Sequence, residues 1–218
     1  MIMQSLRVFS LLCLAVCTAI GVFTGSASAQ IMMDTGSYSQ NFDSLGSASA
    51  TWVNNVTLPG WYASTNGADA TRYAAGTSTG TAGGLYSFGT NGVQSASDRA
   101  LGSLGSGSAD PVAYGVRFYN NTVTARTNIT ISYTGEQWRN GSTNVNTLSF
   151  SYAVSDTPIT NTYSAATWTN FASLNFVSPI VSATASALDG NQAANRQGFT
   201  SIVLAGVTLQ PGQELSLR

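Results

Sequence analysis

The chain has 218 residues, a formal net charge of −1 and charged side chains at only 8% of its positions. It has no histidine and no lysine, and its arginines are scattered, so it lacks the basic stripe with which nucleic-acid binders neutralise phosphates. The same absences remove the usual bases of nucleophilic triads and, because both cysteines lie near the N-terminus, leave no His/Cys zinc site in the rest of the chain.

Residues 1–29 read as a cleavable secretion signal. Arg7 supplies the positive start, an apolar run extends from Val8 to Phe23, and Ala27-Ser28-Ala29 forms a small-residue cleavage site before Gln30. The run falls short of the roughly 20 apolar residues that span a bilayer. A lipoprotein is the competing reading, because Leu14-Ala15-Val16 precedes Cys17; Val16 stands where a small residue is expected, and apolar residues continue past the cysteine. The expected mature chain, Gln30–Arg218, is therefore secreted or extracellular and has no membrane span. Both Cys13 and Cys17 leave with the signal, so no disulfide staples it. It is long enough to bury one core without them.

Weak strands are expected at Tyr38–Leu45, Ala50–Asn55, Trp61–Ser64 and Leu85–Phe88, with long loops over Thr65–Gly84. The period-2 signal is clearest further on. Val112, Tyr114, Val116 and Phe118 alternate with smaller or polar residues, as do Ile129, Ile131 and Tyr133, and then Leu148, Phe150, Tyr152 and Val154. Each run predicts a strand with one face in the core and one in solvent; Phe150 and Tyr152 belong to the core face, Ser149 and Ser151 to the other. Weaker strands follow at Trp168–Val177, Thr200–Leu209 and Glu214–Leu217. Asp189-Gly190-Asn191 interrupts Ala183–Arg196, which predicts a loop with at most one helical turn. Many short strands with turns between them indicate one all-β domain, an antiparallel β-sandwich over residues 30–218. A β-solenoid would show a repeat period, and none is present.

Several stretches together carry a resemblance. They are Tyr38-Ser-Gln-Asn-Phe42-Asp43-Ser-Leu45, Leu58-Pro59-Gly60-Trp61-Tyr62, Leu85-Tyr-Ser-Phe88-Gly89, Asp98-Arg99-Ala100-Leu101-Gly102 and Tyr133-Thr-Gly135-Glu136-Gln137-Trp138-Arg139, with Leu188–Asn191 and Pro211–Glu214. The set resembles the N-terminal jelly-roll-like module of secreted bacterial proteins that often carry PEP-CTERM sorting tails, lamin-tail or nuclease domains. The resemblance implies an extracellular jelly-roll-like sandwich without catalysis of its own. It also implies an acidic segment and a final strand after one like Glu214–Arg218, so a module lacking its final strand is an expectation for a sequence ending at Arg218. The strand at Glu214–Leu217 would then border an unpaired edge and promote self-association.

Paired carboxylates are the catalytic chemistry left open, as in a glycosidase or lyase. Glu136 and Trp138 have two open placements. If the strand from Ile129 continues unbroken, both share the polar face with Thr130, Ser132 and Thr134, where a Trp beside an acid suits stacking on a sugar ring. If Gly135 forms a bulge, Trp138 turns into the core and Arg139 or another cation pairs with Glu136. Trp61 and Tyr62 are either an exposed platform or a core plug, and the burial gain of aromatic rings favours the plug. Calcium is the one metal that oxygen ligands alone hold, and Asp189 and Asn191 with nearby carbonyls are the start of a site without EF-hand spacing. The reading is a secreted module that binds a polysaccharide or cell-surface partner and uses no obligatory cofactor. A structural surface or matrix protein is the third alternative.

Overall fold

The computed structural model describes residues 3–12, 30–89, 98–159, 162 and 168–218; for 3–12 it describes the backbone course alone. The remaining residues of the signal reading, including both cysteines and the Ala27-Ser28-Ala29 site, lie outside the described residues. The strands in chain order begin with β1 (Met3–Leu12), β2 (Ile31–Met32), β3 (Ser37–Gln40), β4 (Ala50–Thr51), β5 (Trp61–Thr65) and β6 (Ala68–Asp69). They continue with β7 (Arg72–Gly76), β8 (Gly84–Phe88), β9 (Ala100–Leu104), β10 (Val112–Tyr119), β11 (Thr130–Asn140) and β12 (Thr147–Leu148). The last are β13 (Ser151–Ser155), β14 (Thr169–Asn170), β15 (Phe176–Val177), β16 (Ser186–Ala187), β17 (Arg196–Val203) and β18 (Glu214–Leu217). The only helical pieces described are single 3-10 turns, one of them at Ala193–Asn195 inside the stretch expected to hold at most one helical turn. No helix among the described residues is long and apolar enough to cross a membrane.

The protein is an all-β sandwich. A nine-stranded sheet runs β16-β11-β1-β9-β8-β7-β4, with β17 beside β11 and β3 beside β1. A seven-stranded sheet runs β14-β13-β18-β10-β5-β6, with β2 beside β10. Pairing is antiparallel except at β7–β8 and β2–β10. From β5 onward the chain passes from the smaller sheet (β5, β6) to the larger (β7–β9), back to the smaller at β10 and to the larger again at β11.

The core between the sheets follows the period-2 pattern. Val116 and Phe118 of β10, Ile131 and Tyr133 of β11, Phe150, and Leu215 and Leu217 of β18 are all buried in one cluster. The expectation of solvated outer faces needs correction. Tyr62, Ser64, Arg117, Glu214 and Ser216 occupy the outer face of the smaller sheet and are buried, and Ser151 is only 9% exposed. A second apolar cluster, Tyr86, Phe88, Ala100, Leu104 and Trp138, lies on the outer face of the larger sheet. Period 2 shows that a strand has two faces; it does not show what packs over the polar one.

Other expected elements shift for local reasons. The run Leu148–Val154 divides into β12 and β13 because the Phe150 amide donates to the Asn175 side chain at 2.8 Å instead of a ladder carbonyl. Thr65–Gly84 holds β6 and β7 as well as loop, and Trp168–Val177 breaks into β14, a 3-10 turn and β15. The strand expected at Thr200–Leu209 instead runs from Arg196 to Val203. The C-terminal strand is also not where an edge is exposed. All residues of β18 pair with β10 on one side and β13 on the other, so the unpaired edge expected beside Glu214–Leu217 is filled.

Candidate functional site

The residues singled out in the sequence fall into two buried networks and one cavity. In the first network, Glu136 and Trp138 share the outer face of β11 without a bulge at Gly135. The ladder to β17 is continuous from Tyr133 through Glu136; on the β1 side the register shifts twice, between Gln137 and Arg139 and between Gly135 and Tyr133, where the extra residue belongs to β1 and not to β11. Gly135 serves a different need: a Cβ there would lie 2.5 Å from Cγ of Phe176, which packs against it from the core. Trp138 is nonetheless 1% exposed. Its ring stacks on Phe88 with centroids 5.6 Å apart, and its N–H donates to Glu136 Oε2 at 3.2 Å. Loops close over the indole. The Leu188 amide donates to the Trp138 carbonyl at 2.9 Å, and a Cβ on Gly190 would come within 2.4 Å of the ring.

The candidate calcium residues form that covering loop. Asp189 accepts the Asn191 amide at 3.0 Å and the Gln192 side chain at 3.2 Å, while the Asn191 side chain donates to Asp98 at 2.9 Å. Asp189 thus spends its carboxylate on a local turn. No group of three or more His, Cys, Asp or Glu that could hold a metal occurs among the described residues. Arg139 is half-buried, and its guanidinium reaches the Ser78 carbonyl at 3.4 Å.

The second network lies on the outer face of the smaller sheet. Arg117, 2% exposed, donates to both carboxylate oxygens of Glu214 at 2.6–3.0 Å and to the Tyr62 hydroxyl at 2.7 Å. Its guanidinium also lies 4.8 Å from the Tyr62 ring centre. The Gln30 side chain donates to the same Glu214 carboxylate. In the sequence Arg117 is one of the scattered arginines and Glu214 opens the last strand; an Arg and a Glu at outward positions of apolar strands are the signal for a buried pair.

Trp61 is the core plug, 1% exposed, with its N–H donated to the Tyr38 hydroxyl at 2.8 Å and its ring edge-on to Phe42 at 4.9 Å. It also borders a cavity of about 670 Å³ at one end of the sandwich. Trp61, Tyr114, Tyr133 and Phe150 supply aromatic wall, and Ser103, Asp110, Asn146, Ser149 and Arg218 supply polar groups. These residues come from β5, β9, β10, β11, the connection before β10, the segment around β12 and the position after β18, so the crossing of strands brings them together from distant parts of the sequence. The Tyr114 hydroxyl is enclosed and unpaired; Ser103 lies beside it but outside hydrogen-bond geometry. Arg218 is held at the cavity by stacking over Trp168 at 4.2 Å and by the Thr162 carbonyl at 2.6 Å. The volume and mixed lining are those of a ligand pocket. Of the binding residues singled out in the sequence, Trp61 alone lines it.

No protein-family model, curated protein or solved structure matches the chain.

Burial also sets the proton chemistry around this core. It pushes the hydroxyls of Tyr38, Tyr62, Tyr114 and Tyr133 above the ordinary tyrosine value of 10.0, with Arg117 partly offsetting the effect at Tyr62. Above that pH the unfolded chain releases protons that the folded chain retains, so the unfolded state binds fewer protons and stability falls as pH rises. The melting temperature is expected to hold from pH 8 to about 10 and then to drop steeply. A flat profile to pH 11 would contradict this placement of the rings.

Proposed function

We propose that the chain is an exported, non-catalytic β-sandwich module that holds the end of a polysaccharide in the cavity between its sheets. The observation that carries the reading is the cavity wall of Trp61, Tyr114, Tyr133 and Phe150 beside the polar groups of Asp110, Asn146 and Ser149. A sugar ring has apolar faces and a hydroxyl rim, and that combination of aromatic wall and sparse polar groups suits it. Among the described residues, Asp110 is the one carboxylate that lines the space. Hydrolysis by a carboxylate pair uses two such groups about 5–10 Å apart across the substrate, so the lining favours binding over cleavage. The signal-peptide pattern and the resemblance to modules of secreted bacterial proteins support export.

The test is an oligosaccharide array probed with the exported chain, followed by titration of any hit. Ser149 is exposed at the cavity, so Ser149→Trp is expected to block entry and weaken binding at least about tenfold, a loss of roughly 1.4 kcal/mol. Val123, 60% exposed and outside the lining, supplies the control Val123→Ser, which should bind as wild type. Equal binding by Ser149→Trp would place the ligand elsewhere.

A further inference from the structure

The larger sheet has an unusual centre. β1 lies inside it, paired along β11 on one side and along β9 and then β3 on the other. Its register runs Leu11 opposite Ile131, Ser10 opposite Ser132, Phe9 opposite Tyr133 and Leu6 opposite Gly135. Yet Met3–Leu12 falls wholly within the segment that carries the secretion-signal pattern. Cleavage before Gln30 would remove a strand from the middle of the sheet rather than from its margin. Both flanking ladders would then carry unpaired N–H and C=O groups. They would do so between two apolar layers, with Ile131, Tyr133 and Leu101 on the inner side and Leu104 and Trp138 on the outer.

β3 pairs with β1 alone and would be released with it, but its four residues cannot fill the ten-residue course of β1. β18 already has a partner on each side, and β17 is committed to the opposite edge of β11. We propose that export turns the position of β1 into a strand-acceptor slot, filled by an extended strand of a separate polypeptide in the antiparallel register that β1 shows. The donor would place apolar residues opposite Ile131 and Tyr133 and a small polar residue opposite Ser132. Main-chain ladders on both sides supply affinity, and the alternate side chains supply specificity. The proposal rests on the export reading above and is independent of the cavity.

The experiment first determines the N-terminus of the exported chain and then adds a synthetic peptide with the sequence of Met3–Leu12. An N-terminus at Gln30 with saturable, one-to-one peptide binding supports the slot. A scrambled peptide, and one carrying Leu11→Asp opposite the buried Ile131, should bind at least tenfold more weakly. Register is read by disulfide formation, since the exported chain would have no cysteine of its own. Ser132→Cys in the protein should cross-link a Ser10→Cys peptide and not a Ser5→Cys peptide, whose partner is Glu136. An N-terminus at Met1 overturns the proposal by removing the export premise. An N-terminus at Gln30 without peptide binding, or with equal cross-linking of both peptides, overturns the slot itself while leaving export intact.

Discussion

Replacing Glu214 with alanine is expected to cost about 3–5 kcal/mol, the penalty for breaking a buried ion pair by removing one partner. Glu214 is 3% exposed and holds Arg117 in a bidentate pair, with the Gln30 side chain on the same carboxylate. Without it, Arg117 keeps its hydrogen bond to the Tyr62 hydroxyl but loses its counter-charge in a site that water does not reach. The loss acts on β18, which joins β10 to β13, so a cooperative effect on the whole smaller sheet follows. Denaturant titration measures it. The double replacement Glu214→Leu with Arg117→Met should recover much of the loss, because an apolar pair leaves no charge buried. A single-variant cost below about 1 kcal/mol would show that Arg117 finds water or another partner.

Trp138→Ala is the second large effect, again about 3–5 kcal/mol, from lost burial and the cavity left behind. The indole fills the outer cluster between Phe88 and the Gly190 loop and donates to Glu136. Its removal empties the cluster and takes one donor from a fully buried carboxylate. Trp138→Phe should fall between wild type and Trp138→Ala, since it keeps the stacking and loses the N–H. Thermal and denaturant unfolding would both show the order. Unchanged stability in Trp138→Ala, together with lost glycan binding, would instead mean that the covering loop opens and presents the ring to a sugar.

The sequence made the central strands legible because their pattern is self-contained. Val112–Phe118 alternates cleanly and becomes β10, and Trp61–Ser64 and Glu214–Leu217 become β5 and β18 nearly residue for residue. β9 was missed because Ala100-Leu101-Gly102-Ser103-Leu104 has small residues and no β-branched ones, so it reads as loop. It works as a strand because both its faces are covered: Leu101 enters the inner core and Leu104 the outer cluster. Arg72–Gly76 was hidden in the same way within a Gly, Ala and Thr-rich stretch. The two placements weighed for Trp138 both tied burial to strand phase. The indole is instead buried on the outward phase by residues 188–191, a contact far away in sequence that no local pattern encodes. The cavity was illegible for the same reason, since Ser103, Tyr114, Tyr133 and Ser149 meet only through the crossing of strands.

The most direct test of the central claim is a crystal structure of the exported chain with the best-bound oligosaccharide from the array. The account predicts a sugar ring between the two sheets, against Trp61, Tyr114, Tyr133 and Phe150, with hydroxyls on Asp110, Asn146 or Ser149. A sugar bound on an outer sheet face or at the loop over Trp138, with the space between the sheets unchanged, would contradict it.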